Sequence, residues 1–188
     1  MHDYEVKGSH IVQARLAVDE KLGPGTFARL ARMYGGDARW ESLTISDWYD
    51  VFVLHRVLGV VARETASSVK ALATEIGRRN ALADLQGIYR MFLRIAQPVR
   101  MLYFTPQLWR NYVRFGDASA VQNELGTFVA IVENVPEPLI DWVEGSSLGF
   151  IPTGIELAGG TILRAYISEV VPAAEVSSVK MFVSYRMR

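Results

Sequence analysis

Cysteine is absent from all 188 residues, and that single absence excludes disulfides, zinc ribbons, iron–sulfur clusters and thiol nucleophiles. Histidine is scarce: His2, His10 and His55 are the only imidazoles, and they offer no cluster of three or four ligands of the kind zinc requires. Lysine is scarce too, four residues against sixteen arginines. Neither sign of charge is in excess, because 20 basic and 20 acidic residues balance at a pI near 6.8, which argues against a nucleic-acid partner. The longest apolar run, 51–62, is broken by His55-Arg56 and falls short of the roughly 20 residues of a membrane span. No basic segment followed by an apolar one opens the chain, so no secretory signal is read and a cytoplasmic location is expected. Linkers, low-complexity tracts and internal repeats are also missing, so residues 1–188 are expected to form a single domain.

What is present is apolar patterning, half of all residues. Residues 4–6 read as a short extended lead-in stopped at Gly8. Ile11, Val12, Leu16 and Leu22 recur at helical spacing, and Gly23-Pro24 ends that run. Phe27, Leu30, Ala31 and Tyr34 line a second helix, stopped by Gly35-Gly36. Ser46 is the expected N-cap of a third, with Asp47 and Asp50 in its first turn. That helix runs to about residue 65 and is apolar nearly all round, as a central buried helix is. Ser67 or Ser68 restarts a helix to Ile76, another spans about 81–95, and Pro98 and Pro106 fit the first turns of two short helices ending near Phe115.

After Gly116 the period changes. Residues 120–124 and 127–134 read as strands joined at Leu125-Gly126, and Pro136-Glu137-Pro138 launches a helix from Leu139. Pro152 and Gly154 interrupt its pattern before Gly159-Gly160 closes it, and 161–171 and 176–185 alternate as strands. The expected fold is α+β: a mainly helical part over 1–115, then strand–strand–helix–strand–strand over 116–188, a four-stranded antiparallel sheet with one packed helix.

No motif supplies a catalytic centre. Gly145-Ser146-Ser147-Leu148-Gly149 matches a hydrolase nucleophile elbow in letters, but a helix precedes it where a strand is needed and no histidine follows. Gly23-Pro24-Gly25-Thr26-Phe27-Ala28 fits a loose dinucleotide pattern, yet it follows a helix and reads as a turn. Asp19-Glu20 and Asp47 with Asp50 sit at helix ends, where acids are expected for capping. His55 is the one candidate for an axial haem ligand, and a core histidine satisfied by a neighbour is the competing reading.

Charge is the uneven feature. Residues 78–114 hold seven arginines against Asp84 alone, a net of +6, while 115–188 carry a net of −5. Arg90 with Arg94, and Arg110 with Arg114, each share a helix face. Arginine suits paired contact with carboxylate or phosphate, so the segment reads as docking on the acidic second half, within one subunit or between two, or as taking an anionic ligand or acidic partner. Tyr89, Trp109 and Tyr112 stand among these arginines. They read as core aromatics or as walls of an apolar small-molecule cavity. Candidate ligand or partner contacts are therefore Arg90, Arg94, Arg110, Arg114, Trp109, Tyr112, Tyr89 and His55.

Several stretches carry a resemblance: Val6-Lys7-Gly8, Leu22-Gly23-Pro24, Trp48-Tyr49, 87–94 (GIYRMFLR), Leu108-Trp109-Arg110 with Tyr112, and Pro136-Glu137-Pro138. In order and spacing they resemble a family of uncharacterised paralogues expanded in myxobacteria. That family is distantly similar to haem–nitric-oxide-binding and vinyl-reductase-type domains. The resemblance implies an α+β sensor or carrier module, helical at its N-terminus with an antiparallel sheet after it. The chain departs from both families: it has no Tyr-x-Ser-x-Arg motif for haem propionates and none of the paired cysteines of the vinyl-reductase type. No residue is carried over as a haem or metal ligand, so no cofactor is expected and haem is set aside. The expected function is a non-enzymatic sensor-like or regulatory module binding a small apolar or anionic effector or a partner protein. Two alternatives stand beside it: an assembly protein, with a homodimer among its forms, and a carboxylate- or tyrosine-based enzyme.

Overall fold

Strand β1 (Glu5–Lys7) pairs antiparallel with β2 (Trp48–Asp50), Val6 opposite Tyr49, in the computed structural model, which describes residues 4–86, 106–172 and 176–187. Between them run α1 (Gly8–Leu22), α2 (Thr26–Met33) and a 3-10 turn (Ala38–Trp40). Helices α3 (Val51–Glu64) and α4 (Val69–Gln86) follow, and residues 106–112 form helix α5. The second half is β3 (Asp117–Glu124), β4 (Thr127–Pro136), a 3-10 turn (Glu137–Leu139), α6 (Ile140–Leu157), β5 (Gly160–Val171) and β6 (Val176–Met187).

The last four strands form one antiparallel sheet in the order β3-β4-β6-β5, the α+β layout expected. The final strand enters the middle of the sheet rather than its edge. Alternate residues Phe128, Ala130, Met181, Val183 and Tyr185 point inward and meet Ile155 of α6, as one-sided burial of an antiparallel sheet demands. Trp142 and Val143, earlier on the same helix, belong instead to the core of the helical part, with Val57, Leu58 and Val61 of α3. Helix α6 is thus shared by both cores.

Two local expectations are corrected. Ser46 does not cap α3. Residues 48–50 are drawn into pairing with β1, and the carboxylate of Asp50 accepts from the Phe52 amide at 2.7 Å, so the helix starts four residues later. The pattern that broke between Ile76 and Ala81 is one unbroken helix, α4, because Gly77 is not a stop. A Cβ there would lie 2.6 Å from the Ser146 carbonyl oxygen, so its bare backbone lets α6 approach. Helix α6, whose pattern Pro152 and Gly154 interrupt, continues unbroken to Leu157, just before the expected stop at Gly159-Gly160.

Candidate functional site

Helix α1 turns an inward face built from His10, Ile11, Ala14, Ala17 and Val18, all buried, while Leu16 faces solvent. Small alanines bring α1 close to its neighbours and carry His10 inward with them. The imidazole stacks on the ring of Tyr112 from α5, centroids 4.6 Å apart and planes 17° from parallel. Phe150 of α6 stands 6.3 Å from both rings. Below this stack lies a cavity of about 80 Å³, walled by Asn80, Trp109, Trp142, Ile151 and Phe128 among others. Trp109 is held in place by its Nε1, which donates to the Phe115 carbonyl at 2.8 Å.

The close contact of α4 with α6 shapes that wall. Gly145 and Gly149 face α4, where added Cβ atoms would lie 2.3 Å from the Lys70 carbonyl oxygen and 2.1 Å from that of Thr74. The stretch that matched a nucleophile elbow in letters is therefore helical throughout, its glycines serving close packing. Ser146 and Ser147 face the cavity between them. The Gly23–Ala28 stretch is a turn into α2, with Gly23 and Gly25 at φ 98° and 76°.

Electrostatics single out one end of the cavity. Burial pushes the His10 pKa down to about 3, so the ring is uncharged near neutrality. Asp84 is pushed up to about 6, chiefly by burial, with a hydrogen bond from Tyr112 pulling the other way. His10 Nε2 and Asp84 Oδ2 are 3.8 Å apart. With an uncharged imidazole and that separation, the pair is neither a salt bridge nor a hydrogen bond. Among the described residues His10 Nε2, Asn80 Oδ1 and Asp84 Oδ2 are buried with no hydrogen-bond partner, a condition proteins seldom leave unaddressed. Of these residues His10 and Asn80 line the apolar, aromatic cavity and give it a polar end, while Asp84 stands behind His10 outside the lining.

The candidate residues distribute unevenly around it. Trp109 and Tyr112 line the cavity. Arg110 is exposed. Arg114 turns outward, paired with Glu5 at 2.5 Å and lying 4.1 Å over the Trp48 ring. His55 is half-buried on α3, its pKa lowered by burial, and is not in the cavity wall. Tyr89, Arg90 and Arg94 lie outside the described residues. The described ion pairs of the basic segment run to the first part of the chain, Arg79 to Glu20 and Glu75 and Arg114 to Glu5, rather than to the acidic second half. Sequence reasoning missed His10. The signal was available: His10, Ala14, Ala17 and Val18 share one helical face, but alanines weigh less in a hydrophobic pattern than Val12 and Leu16.

No protein-family model matches the chain, and no curated protein does. Solved structures do. A protein from K. algicida described as Fe(II) unliganded H-NOX aligns over 97% of each chain at 13% identity and a TM-score of 0.74. An oxygen-binding H-NOX domain related to soluble guanylate cyclases aligns over 96% of this chain and 95% of its own, at 14% identity and TM-score 0.69. A third, from work on haem redox potential and porphyrin distortion, covers 95% and 99% at 14% identity and TM-score 0.68. The fold is H-NOX-like, in agreement with the distant similarity to haem–nitric-oxide-binding domains. The expectation that no cofactor is involved and haem is set aside does not stand, because structures of this fold are described with iron and porphyrin. Among the described residues no helix is long and apolar enough to cross a membrane.

Proposed function

We propose that this chain is a non-enzymatic, sensor-type module whose effector site is the His10 cavity, with haem as the ligand and His10 as its iron-binding residue. One atom carries the reading: His10 Nε2, buried in an apolar aromatic wall, uncharged, and without a hydrogen-bond partner among the described residues. Neutral imidazole is a common axial ligand of haem iron. In the tautomer protonated at Nδ1, Nε2 presents a lone pair, which the Asp84 carboxylate, 3.8 Å away and itself an acceptor when ionised, does not engage. The stacked Tyr112 ring fixes the imidazole plane, and the aromatic lining suits the face of a porphyrin. Bound haem would supply an iron centre able to take a diatomic ligand; the chain's own part is to hold the imidazole and keep water out.

The cavity volume favours a second reading. About 80 Å³ is well below the roughly 300–1,000 Å³ of ordinary ligand pockets. A porphyrin enters only if the wall opens, whereas a small apolar molecule enters as the wall stands. The test is to titrate haem into the purified full chain and follow the Soret band. Saturable binding with an imidazole-ligated spectrum is expected, lost in H10L and retained in H55L. An unchanged band in the wild type, or an H10L spectrum identical to it, overturns the haem reading. In that event, a rise in melting temperature with small apolar molecules that the cavity-filling variant I151F lacks would establish the second.

A further inference from the structure

We infer that the outer face of the four-stranded sheet docks a second copy of this chain. Helix α6 covers only the inner face. On the other face the strand register sets Val121, Val129, Phe182 and Tyr166 in one row across β3, β4, β6 and β5. Val121 is 50% exposed and Tyr166 49%, and the Tyr166 and Phe182 rings stand 5.3 Å apart. The solvated face of an antiparallel sheet is normally polar, so a continuous apolar row there marks a surface built to be covered.

The charges beside the row identify what covers it. Arg164, opposite Ser184, is the next outward position on one side of Tyr166, and Glu169, opposite Lys180, is the next on the other. Arg164 lies two residues from Tyr166 and faces outward by simple alternation, while the irregularity between Ile167 and Glu169 brings Glu169 to the same face. A two-fold axis lying along the apolar row turns the sheet onto itself. Row then meets row, and each Arg164 falls opposite the Glu169 of the other copy, where it joins the Lys180–Glu169 ion pair (2.6 Å) that each chain already makes on this face. The same operation sets Glu124 against Ser119 and Lys180 against Ser184, so no like charges are opposed. The face is its own complement, which is the requirement of a symmetric dimer. Sheets stacked about 10 Å apart let the two rows interdigitate. Four strands spaced about 4.8 Å apart, with roughly eight residues each facing the contact, cover on the order of 500 Å² per copy. That is at the lower edge of stable interfaces, so the dimer is weak and concentration-dependent.

Sedimentation velocity of the full chain across a wide concentration range is expected to show monomer passing to dimer. Y166K, R164E and E169R each shift it toward monomer, on the order of tenfold in the dissociation constant, with circular dichroism confirming the fold. Mixing R164E with E169R restores both charge pairs, so the mixture is expected to dimerise better than either variant alone. A wild type that stays monomeric throughout overturns the inference. So does a dimer indifferent to Y166K, or a mixture that associates no better than its components.

Discussion

His10 and Asp84 pull the pH dependence of stability in opposite directions. Burial holds the Asp84 carboxyl at about 6, above its ordinary 3.8, so the folded protein binds that proton more tightly than the unfolded chain. Its contribution is complete below about pH 4 and is lost as pH rises to about 6. His10 is held at about 3, below its ordinary 6.5, so its contribution is complete above about pH 6.5 and is lost as pH falls toward 3. Between pH 4 and 6 the two slopes oppose one another, and the wild type is expected to be nearly flat. D84N leaves the histidine slope, so its urea midpoint should climb from pH 4 to 6.5. H10L leaves the carboxylate slope, and its midpoint should fall from pH 4 to 6. Two variants that both track the wild type would show that these groups do not titrate as their burial dictates.

At the scale of elements, glycine separates packing from propensity. Gly59 lies in α3 with nothing within 4 Å of where a Cβ would stand, so G59A is expected to stabilise the protein by about 0.5–1 kcal/mol. Gly149 also lies in a helix, but its Cβ would meet the Thr74 carbonyl oxygen at 2.1 Å and the Arg78 amide nitrogen at 2.7 Å. Both are backbone atoms that cannot swing aside. G149A is therefore expected to destabilise by about 1–3 kcal/mol, the clash outweighing the gain in helix propensity, with urea unfolding as the measurement. Stabilisation by G149A would mean that α4 and α6 are not in close contact. The same two helices show how far local pattern reaches. Their existence follows from apolar spacing, and Ser68 caps α4 through a bond from the Ala71 amide at 3.1 Å, as a serine before a helical run suggests. Yet neither the continuity of α4 past Gly77 nor that of α6 past Pro152 was readable, because both residues are helix breakers in isolation and only the neighbouring helix gives them a purpose.

For the whole molecule, α6 is the element that decides cooperativity. It contributes Trp142 and Val143 to the helical core and Ile155 to the sheet core, so neither core is complete without it. Residues 1–188 are accordingly expected to unfold as one unit, the tryptophan fluorescence reporting on the helical part and the far-ultraviolet circular dichroism on both parts giving one midpoint in urea. Separated midpoints would divide the chain into two folding units. The N-terminal strand is tied to the far end of the helical part as well, through the Arg114 amide donating to the Glu5 carbonyl at 2.9 Å and a bridge between Val6 and Val113.

By itself the sequence determined the α+β class, the order strand–strand–helix–strand–strand after residue 116, and the turns at Leu125-Gly126 and Gly159. These follow from period and backbone preference, which act over a few residues and leave their mark locally. Tertiary structure alone decided that β6 enters the sheet between β4 and β5, and that β2 takes Asp50 from the helix to which the sequence assigned it. It also decided that His10, not His55, faces the cavity. Each of these depends on which face of an element meets a neighbour distant in the chain. Small residues such as Ala14, Ala17 and Gly77 permit that meeting, but the hydrophobic pattern does not announce it.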